Sequence, residues 1–190
     1  MGADVGEGWR DWVPVAALPE PAPPATGPAG PLPMLEADPA LPVVPEGRTA
    51  ALWLVGAHGG AGESTLACLV PDWQAAGHAW PESAAGPAAC VLLARTSAGG
   101  LLAAQAALRQ WAAGDAPVDL AGLVLLADAP GRLPRALRDL AGLVAGGAPR
   151  CWSIPWIEAW RLGEPHLTRD VTRLIRDLTA VIRQPLGEPK

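Results

Sequence analysis

Four short, nearly unbroken apolar runs constrain this chain most. They are Ala51-Leu52-Trp53-Leu54-Val55, Cys90-Val91-Leu92-Leu93-Ala94, Leu123-Val124-Leu125-Leu126-Ala127 and Cys151-Trp152-Ser153-Ile154. Runs of this length without polar alternation suit strands covered on both faces, as in a parallel sheet. Helix-forming stretches lie between and after them: Ser64 to Leu69, cut short by Pro71; Leu101 to Ala113; and Arg135 to Val144, opened by Pro134. The last is the clearest, with Leu167, Val171, Leu174, Ile175, Leu178, Val181 and Ile182 recurring at the helical period. Alternating strands and helices predict an α/β fold: a small, mostly parallel sheet with helices on both faces. With 190 residues there is room for one such domain and not for two.

Half of the 22 prolines fall in residues 1–48. Proline removes backbone donors and resists helix and sheet, so this stretch is expected to be a disordered, partly polyproline tail. The expected organisation is a Pro-rich acidic tail over 1–48, an α/β domain over 49–184 and a loose C-terminus over 185–190. The tail holds seven acidic residues and two Arg, whereas residues 132–190 hold ten basic residues and six acidic ones, so charge is polarised along the chain. Within the tail, Trp9 and Trp12 are costly to leave in water. They mark either a docking motif for a protein partner or a segment that folds back on its own domain.

The cysteines, Cys68, Cys90 and Cys151, form no CxxC pair and no Cys/His cluster, which argues against a zinc site or a disulfide scaffold. All three lie in apolar runs and are expected to be buried thiols. No run approaches 18 apolar residues and no basic region precedes an apolar one at the N-terminus. A cytoplasmic protein without a membrane span or signal peptide is therefore expected.

Function is most sharply written in Gly56-Ala57-His58-Gly59-Gly60-Ala61-Gly62-Glu63-Ser64-Thr65, which follows one expected strand and opens one expected helix. That is the setting of a phosphate-binding loop, where small residues let backbone N–H groups converge on an anion. The stretch resembles the deviant Walker A loop of ParA/MinD-type ATPases, Lys-Gly-Gly-x-Gly-Lys-[Ser/Thr]-Thr. Gly59, Gly60, Gly62, Ser64 and Thr65 match; His58 and Glu63 stand where that family has lysines. Weaker similarity runs on through Val91 to Thr96, through Gly122 to Asp128, and through Ile154-Pro155-Trp156 to Gly163-Glu164-Pro165. The chain also resembles an uncharacterised actinobacterial family with a His-Gly-Gly-x-Gly-Glu-Ser-Thr loop and a Pro-Trp-x-Glu-Ala-Trp-Arg segment.

The resemblance implies a P-loop NTPase-like three-layer sandwich, with ATP and magnesium at the glycine loop, Ser64 on the metal, and Asp128 and Pro155 in base-side or switch-like positions. The departures imply the opposite for activity. The only lysine is Lys190, so nothing replaces the missing loop charge unless Arg95 or Arg132 reaches it. A unit charge contact at about 4 Å is worth roughly 4 kcal/mol at an effective dielectric near 20, so Glu63 should turn that attraction into repulsion of a triphosphate. A carboxylate in a first helical turn is also favoured by the helix itself, and Glu63 fills the anion site from within on that reading. Only about 20 residues separate the first helix from Cys90, too few for the further βαβ unit that carries the family's switch carboxylates. The run Asp128-Ala129-Pro130-Gly131 reads as a turn ending a strand rather than as a switch.

The expected function is thus a non-hydrolysing scaffold or regulatory partner without a cofactor, in plasmid or mobile-element maintenance; the alternative is a weak Mg-dependent nucleotide-binding ATPase. A third reading is an α/β-hydrolase-like esterase. It takes His58-Gly59-Gly60 as an oxyanion loop and Ser97, Asp128 and His166 in the chain order of that fold, although Arg95 stands where the nucleophile elbow has glycine. Arg169, Arg173, Arg176 and Arg183 lie opposite the apolar stripe of the last helix. They form a DNA-binding stripe or, with Asp170 and Asp177 interspersed, a solvated face. Of Trp152, Trp156 and Trp160, Trp152 is expected to pack in the core, and the other two are left open between packing and a partner surface.

Overall fold

A computed structural model describes residues 40–183. All described residues belong to one compact unit. Its order is β1 (Val43–Pro45), β2 (Leu52–Gly56), α1 (Glu63–Ala67), β3 (Trp73–Gly77), β4 (Trp80–Glu82), β5 (Ala88–Arg95), α2 (Ala98–Ala112), β6 (Val118–Leu126), α3 (Arg135–Ala145), β7 (Cys151–Ile154), α4 (Glu158–Arg161) and α5 (Arg169–Arg183). The fold is α/β, as the apolar runs predict.

The main sheet has five strands in the order β3-β2-β5-β6-β7, and every pairing is parallel. Side chains alternate across it. Trp53, Val55, Cys90, Leu92, Leu123 and Leu125 form one core with Leu101, Ala104 and Leu108 of α2 and Val144 of α3. Leu52, Leu54, Val91, Leu93, Val124 and Leu126 form the other with Leu66 of α1 and Val171, Leu174 and Leu178 of α5. Burial of both faces explains why β2, β5 and β6 read as continuous apolar runs. The chain moves from β2 to β3 in one direction and from β5 through β6 to β7 in the other. Connections of one hand then require helices on opposite faces, and α1 and α2 are so placed.

Four expectations are corrected. First, order begins before residue 49: β1 lies within the expected tail and pairs in parallel with β4. Gln110 of α2 ties this layer down. Its amide nitrogen donates to the Leu41 carbonyl (2.7 Å), and its oxygen accepts from the indole of fully buried Trp80 (3.0 Å). Residues 1–39 of the expected tail, with Trp9 and Trp12, and the expected loose C-terminus lie outside the described residues. Second, the interval between α1 and β5 is too short for a further βαβ unit, as expected, but it holds two strands that no apolar run marked, β3 and β4. Third, α2 starts three residues earlier than expected, because Ser97 caps it, its Oγ accepting from the Gly100 N–H at 3.2 Å. Fourth, only Cys90 is buried; Cys68 and Cys151 are exposed, since α1 and β7 lie at the sheet margins. Among the described residues no helix is long and apolar enough to cross a membrane.

Candidate functional site

The loops after β2 and β5 leave the sheet toward opposite faces, and such a divergence opens a crevice at the carboxyl ends of the strands. The glycine loop, residues 57–62, occupies one side of it. Its first half is closed on itself, with the Ala61 N–H donating to the His58 carbonyl at 3.2 Å. Gly62, at φ 105°, then delivers the chain into α1 without a side-chain cap.

Glu63 is the first residue of α1, and its side chain folds back beneath the loop. It is only 8% exposed. A Cβ on Gly56 would lie 2.9 Å from Glu63 Oε2, so the carboxylate is seated against the last residue of β2. Oε2 is buried without a hydrogen-bond partner, and Oε1 lies 4.0 Å from His78 Nε2, beyond hydrogen-bond range. His78 follows β3 and donates from Nδ1 to the Gly56 carbonyl at 3.1 Å. One carboxylate and one imidazole therefore close the space under the glycine loop.

From β5 come two clamps. His58 Nε2 accepts from the Arg95 backbone N–H at 3.0 Å, and its Nδ1 donates to the Gly59 carbonyl at 2.9 Å. Both ring nitrogens are engaged, which fixes the tautomer and leaves no lone pair for base catalysis. The ring has room only because residue 100 is glycine: a Cβ there would collide with the Arg95 carbonyl oxygen and lie 2.8 Å from Nε2. Arg95 in turn donates from Nε to the Gly60 carbonyl (3.1 Å) and from Nη1 to the Ala127 carbonyl (3.0 Å), joining the loop to the end of β6. Burial pulls the Arg95 pKa down, the Asp128 carboxylate opposes this, and the nearby Arg161 charge adds to the lowering. A guanidinium stays charged through such shifts.

Beside these clamps lies a cavity of about 330 Å³ lined by the loop, the ends of β5 and β6, and α4, with Arg95, Ser97, Asp128, Trp156, Trp160 and Arg161 on its wall. A second, of about 510 Å³, lies over the β6–α3 connection; Leu125, Leu133, Pro134, Leu137 and Ile154 make it apolar. Ser97, Asp128 and Pro155 border both.

The expected site residues divide accordingly. Gly56, His58, Gly59, Gly60, Ala61, Gly62 and Glu63 form the loop and its filling. Ser64 is exposed and lines a different depression, with Arg48 and Cys68, so it does not join Asp128 or Pro155; Thr65 is half-buried in α1. Asp128 begins a bend that ends at Gly131, in keeping with the turn reading, and its N–H donates to Thr96 Oγ1 at 3.1 Å. The esterase trio is not assembled. Ser97 has relaxed extended backbone (φ −68°, ψ 160°) and caps α2, unlike a strained nucleophile elbow. His166 is exposed on the α4–α5 connection and lines neither cavity; only its carbonyl is engaged, by the Trp160 indole at 3.0 Å. Trp152 and Trp160 pack on the second core, whereas Trp156 donates to Glu158 Oε2 at 2.7 Å from the cavity wall. On α5, Arg173 lies 3.9 Å from Asp170 and Arg176 lies 3.1 Å from Asp177, as on a solvated face. Sequence reasoning missed His78 and Arg161. The first follows a strand that has no apolar run to announce it, and the second sits on a single helical turn whose place over the sheet depends on tertiary packing.

Fold and site together define a doubly wound parallel α/β domain with its candidate site at the carboxyl edge of the sheet. A family of unknown function, DUF6668, has a model that matches residues 50–177, about two thirds of the chain, and the chain belongs to that family. No curated protein and no solved structure matches it.

Proposed function

We propose that the chain is a degenerate relative of the ParA/MinD-type P-loop proteins that does not hydrolyse nucleotide and acts as a scaffold or regulatory partner, in plasmid or mobile-element maintenance. The observation that carries this reading is the Glu63 carboxylate, buried beneath the loop against Gly56. A negative charge there opposes a triphosphate where the ATPases have a lysine. The residues do not fit a magnesium–triphosphate in other respects. Ser64 faces away from the cavity, and the acids of the interval before β5 are Asp72, at the amino end of β3, and Glu82 on β4. Asp72 is thus at the far edge of the sheet from the loop, where its carbonyl accepts from Ala51 N–H at 2.8 Å.

One observation favours a second reading, weak nucleotide binding: Arg95 brings a cation to the loop at Gly60. Calorimetry with ATP and GTP, each with Mg²⁺, separates the two. The first predicts no binding by the unmodified chain and a gain in Glu63→Lys. Micromolar binding by the unmodified chain, lost in Arg95→Gln, would establish the second in its place.

A further inference from the structure

The two cavities at the sheet edge share Ser97, Asp128 and Pro155 and differ sharply in chemistry. In the smaller one, Arg95 and Arg161 have no carboxylate within 4.0 Å among the described residues, and Asp128 supplies the single negative charge on the wall. Both ring nitrogens of His58 are taken up by backbone partners, Gly59 and Arg95. The wall therefore carries a net charge of about +1, which complements a monoanion and not a triphosphate. Arg95 is preorganised: Nε and Nη1 are tied to carbonyls, leaving Nη2 free to donate. Ser97 Oγ uses a lone pair to cap α2, so its hydroxyl hydrogen is free to donate at the junction. The larger cavity offers Leu125, Leu133, Pro134, Leu137 and Ile154, with Arg132 on its wall. Both volumes lie within the range of small-molecule pockets, roughly 300–1,000 Å³.

We propose that the joined cavities form a binding site for a small amphipathic monocarboxylate, its head between Arg95 and Arg161 with Ser97 donating, and its apolar body over Leu133 and Leu137. Guanidinium groups favour planar carboxylates, and an apolar body needs the second cavity as the head needs the first. The site takes no contact from Glu63 or His78, although it shares Arg95 with the glycine loop and the Glu63 charge also acts on that guanidinium.

The test is calorimetric titration of the full chain with octanoate, hexanoate, octanol, acetate and ATP·Mg. Octanoate is expected to bind most tightly. Removing two methylenes, at about 0.8 kcal/mol each, should weaken hexanoate by roughly tenfold. Loss of the charged head should weaken octanol by about tenfold or more, and acetate should bind weakest. Arg161→Gln, an exposed substitution, should cost octanoate about tenfold while leaving octanol unchanged; Arg161→Lys should restore part of the loss. Leu133→Asp should weaken both long ligands. The proposal is overturned if octanoate does not bind, if it binds no better than octanol, or if affinity is indifferent to Arg161 and Leu133. Sensitivity to Arg132→Gln but not to Arg161→Gln would overturn the assigned position of the head. Binding of ATP·Mg by the unmodified chain would sink the reading of Glu63, whereas failure of octanoate alone sinks only this site.

Discussion

Gly56 and Glu63 share one space, and each sets the limit on the other. A methyl group on residue 56 would fall 2.9 Å from Glu63 Oε2 and from His78 Nδ1. Gly56→Ala is therefore expected to destabilise the chain by about 2 kcal/mol through overpacking. Truncating the carboxylate removes one of these two clashes and leaves the one with His78, so Gly56→Ala in a Glu63→Ala background should cost about 1 kcal/mol less. Urea unfolding of the four proteins measures this coupling, and additive costs would show that the carboxylate does not occupy that space. The second close approach has no such relief. A Cβ on Gly100 meets the backbone carbonyl of Arg95 as well as the His58 ring, so Gly100→Ala should cost about 3 kcal/mol in the same assay. The sign of the charge at residue 63 was legible in the sequence, since a loop pattern fixes which position should be positive. The seat of that carboxylate was not, because it depends on His78, brought alongside Gly56 by β3.

Among the elements, those covered on both faces were the readable ones. β2, β5 and β6 carry the apolar runs that burial between two helical layers demands, whereas β7, at the sheet margin, fully buries only Ile154. β3 carries no such run. Trp73-Gln74-Ala75-Ala76-Gly77 buries only its tryptophan at the sheet edge, and its strand conformation follows from pairing with β2 more than from propensity. β1 and β4, of three residues each, depend on tertiary contacts still more, and Gln110 is the residue that joins them to α2. Gln110→Ala leaves the buried Trp80 N–H and the Leu41 carbonyl without partners, an expected loss of about 2 kcal/mol. Amide exchange should quicken first over residues 43–45 and 80–82, with β5 and β6 still protected; uniform quickening would show that the small sheet is not a separate layer. Just after β1, Arg48 donates to both carboxylate oxygens of Glu46 and lies 5.0 Å from the Trp53 ring centre. These hydrogen bonds hold the Glu46 carboxyl at about 2, below its ordinary 4.5. A carboxylate lowered in this way adds stability that is present above pH 4.5 and fades as the pH falls toward 2. An NMR titration should find the Glu46 midpoint near 2, and a midpoint near 4.5 would mean that the pair does not form in solution.

For the molecule as a whole, the two helical layers are unequal. One face of the sheet has α2 and α3; the other has the five-residue α1 and, over β6 and β7, α5. The amphipathic pattern of α5 was the plainest helix in the sequence, because an exposed helix with one buried stripe shows its period most clearly. The family match over residues 50–177 stops within this helix. Beyond it lie Leu178, which is fully buried, and Val181 and Ile182, which pack partly buried against the same core. A chain ending at Asp177 would therefore leave a cavity against β6 and β7, where one ending at Arg183 keeps the helix entire. Deleting a buried leucine alone costs about 2–5 kcal/mol, and domains of this size have only about 5–15 kcal/mol in all. The shorter chain is expected to lose at least about 3 kcal/mol in urea unfolding, a large share of that total. Equal midpoints for the two chains would mean that the last turns of α5 do not seal this face, and that the family's common segment carries the whole core.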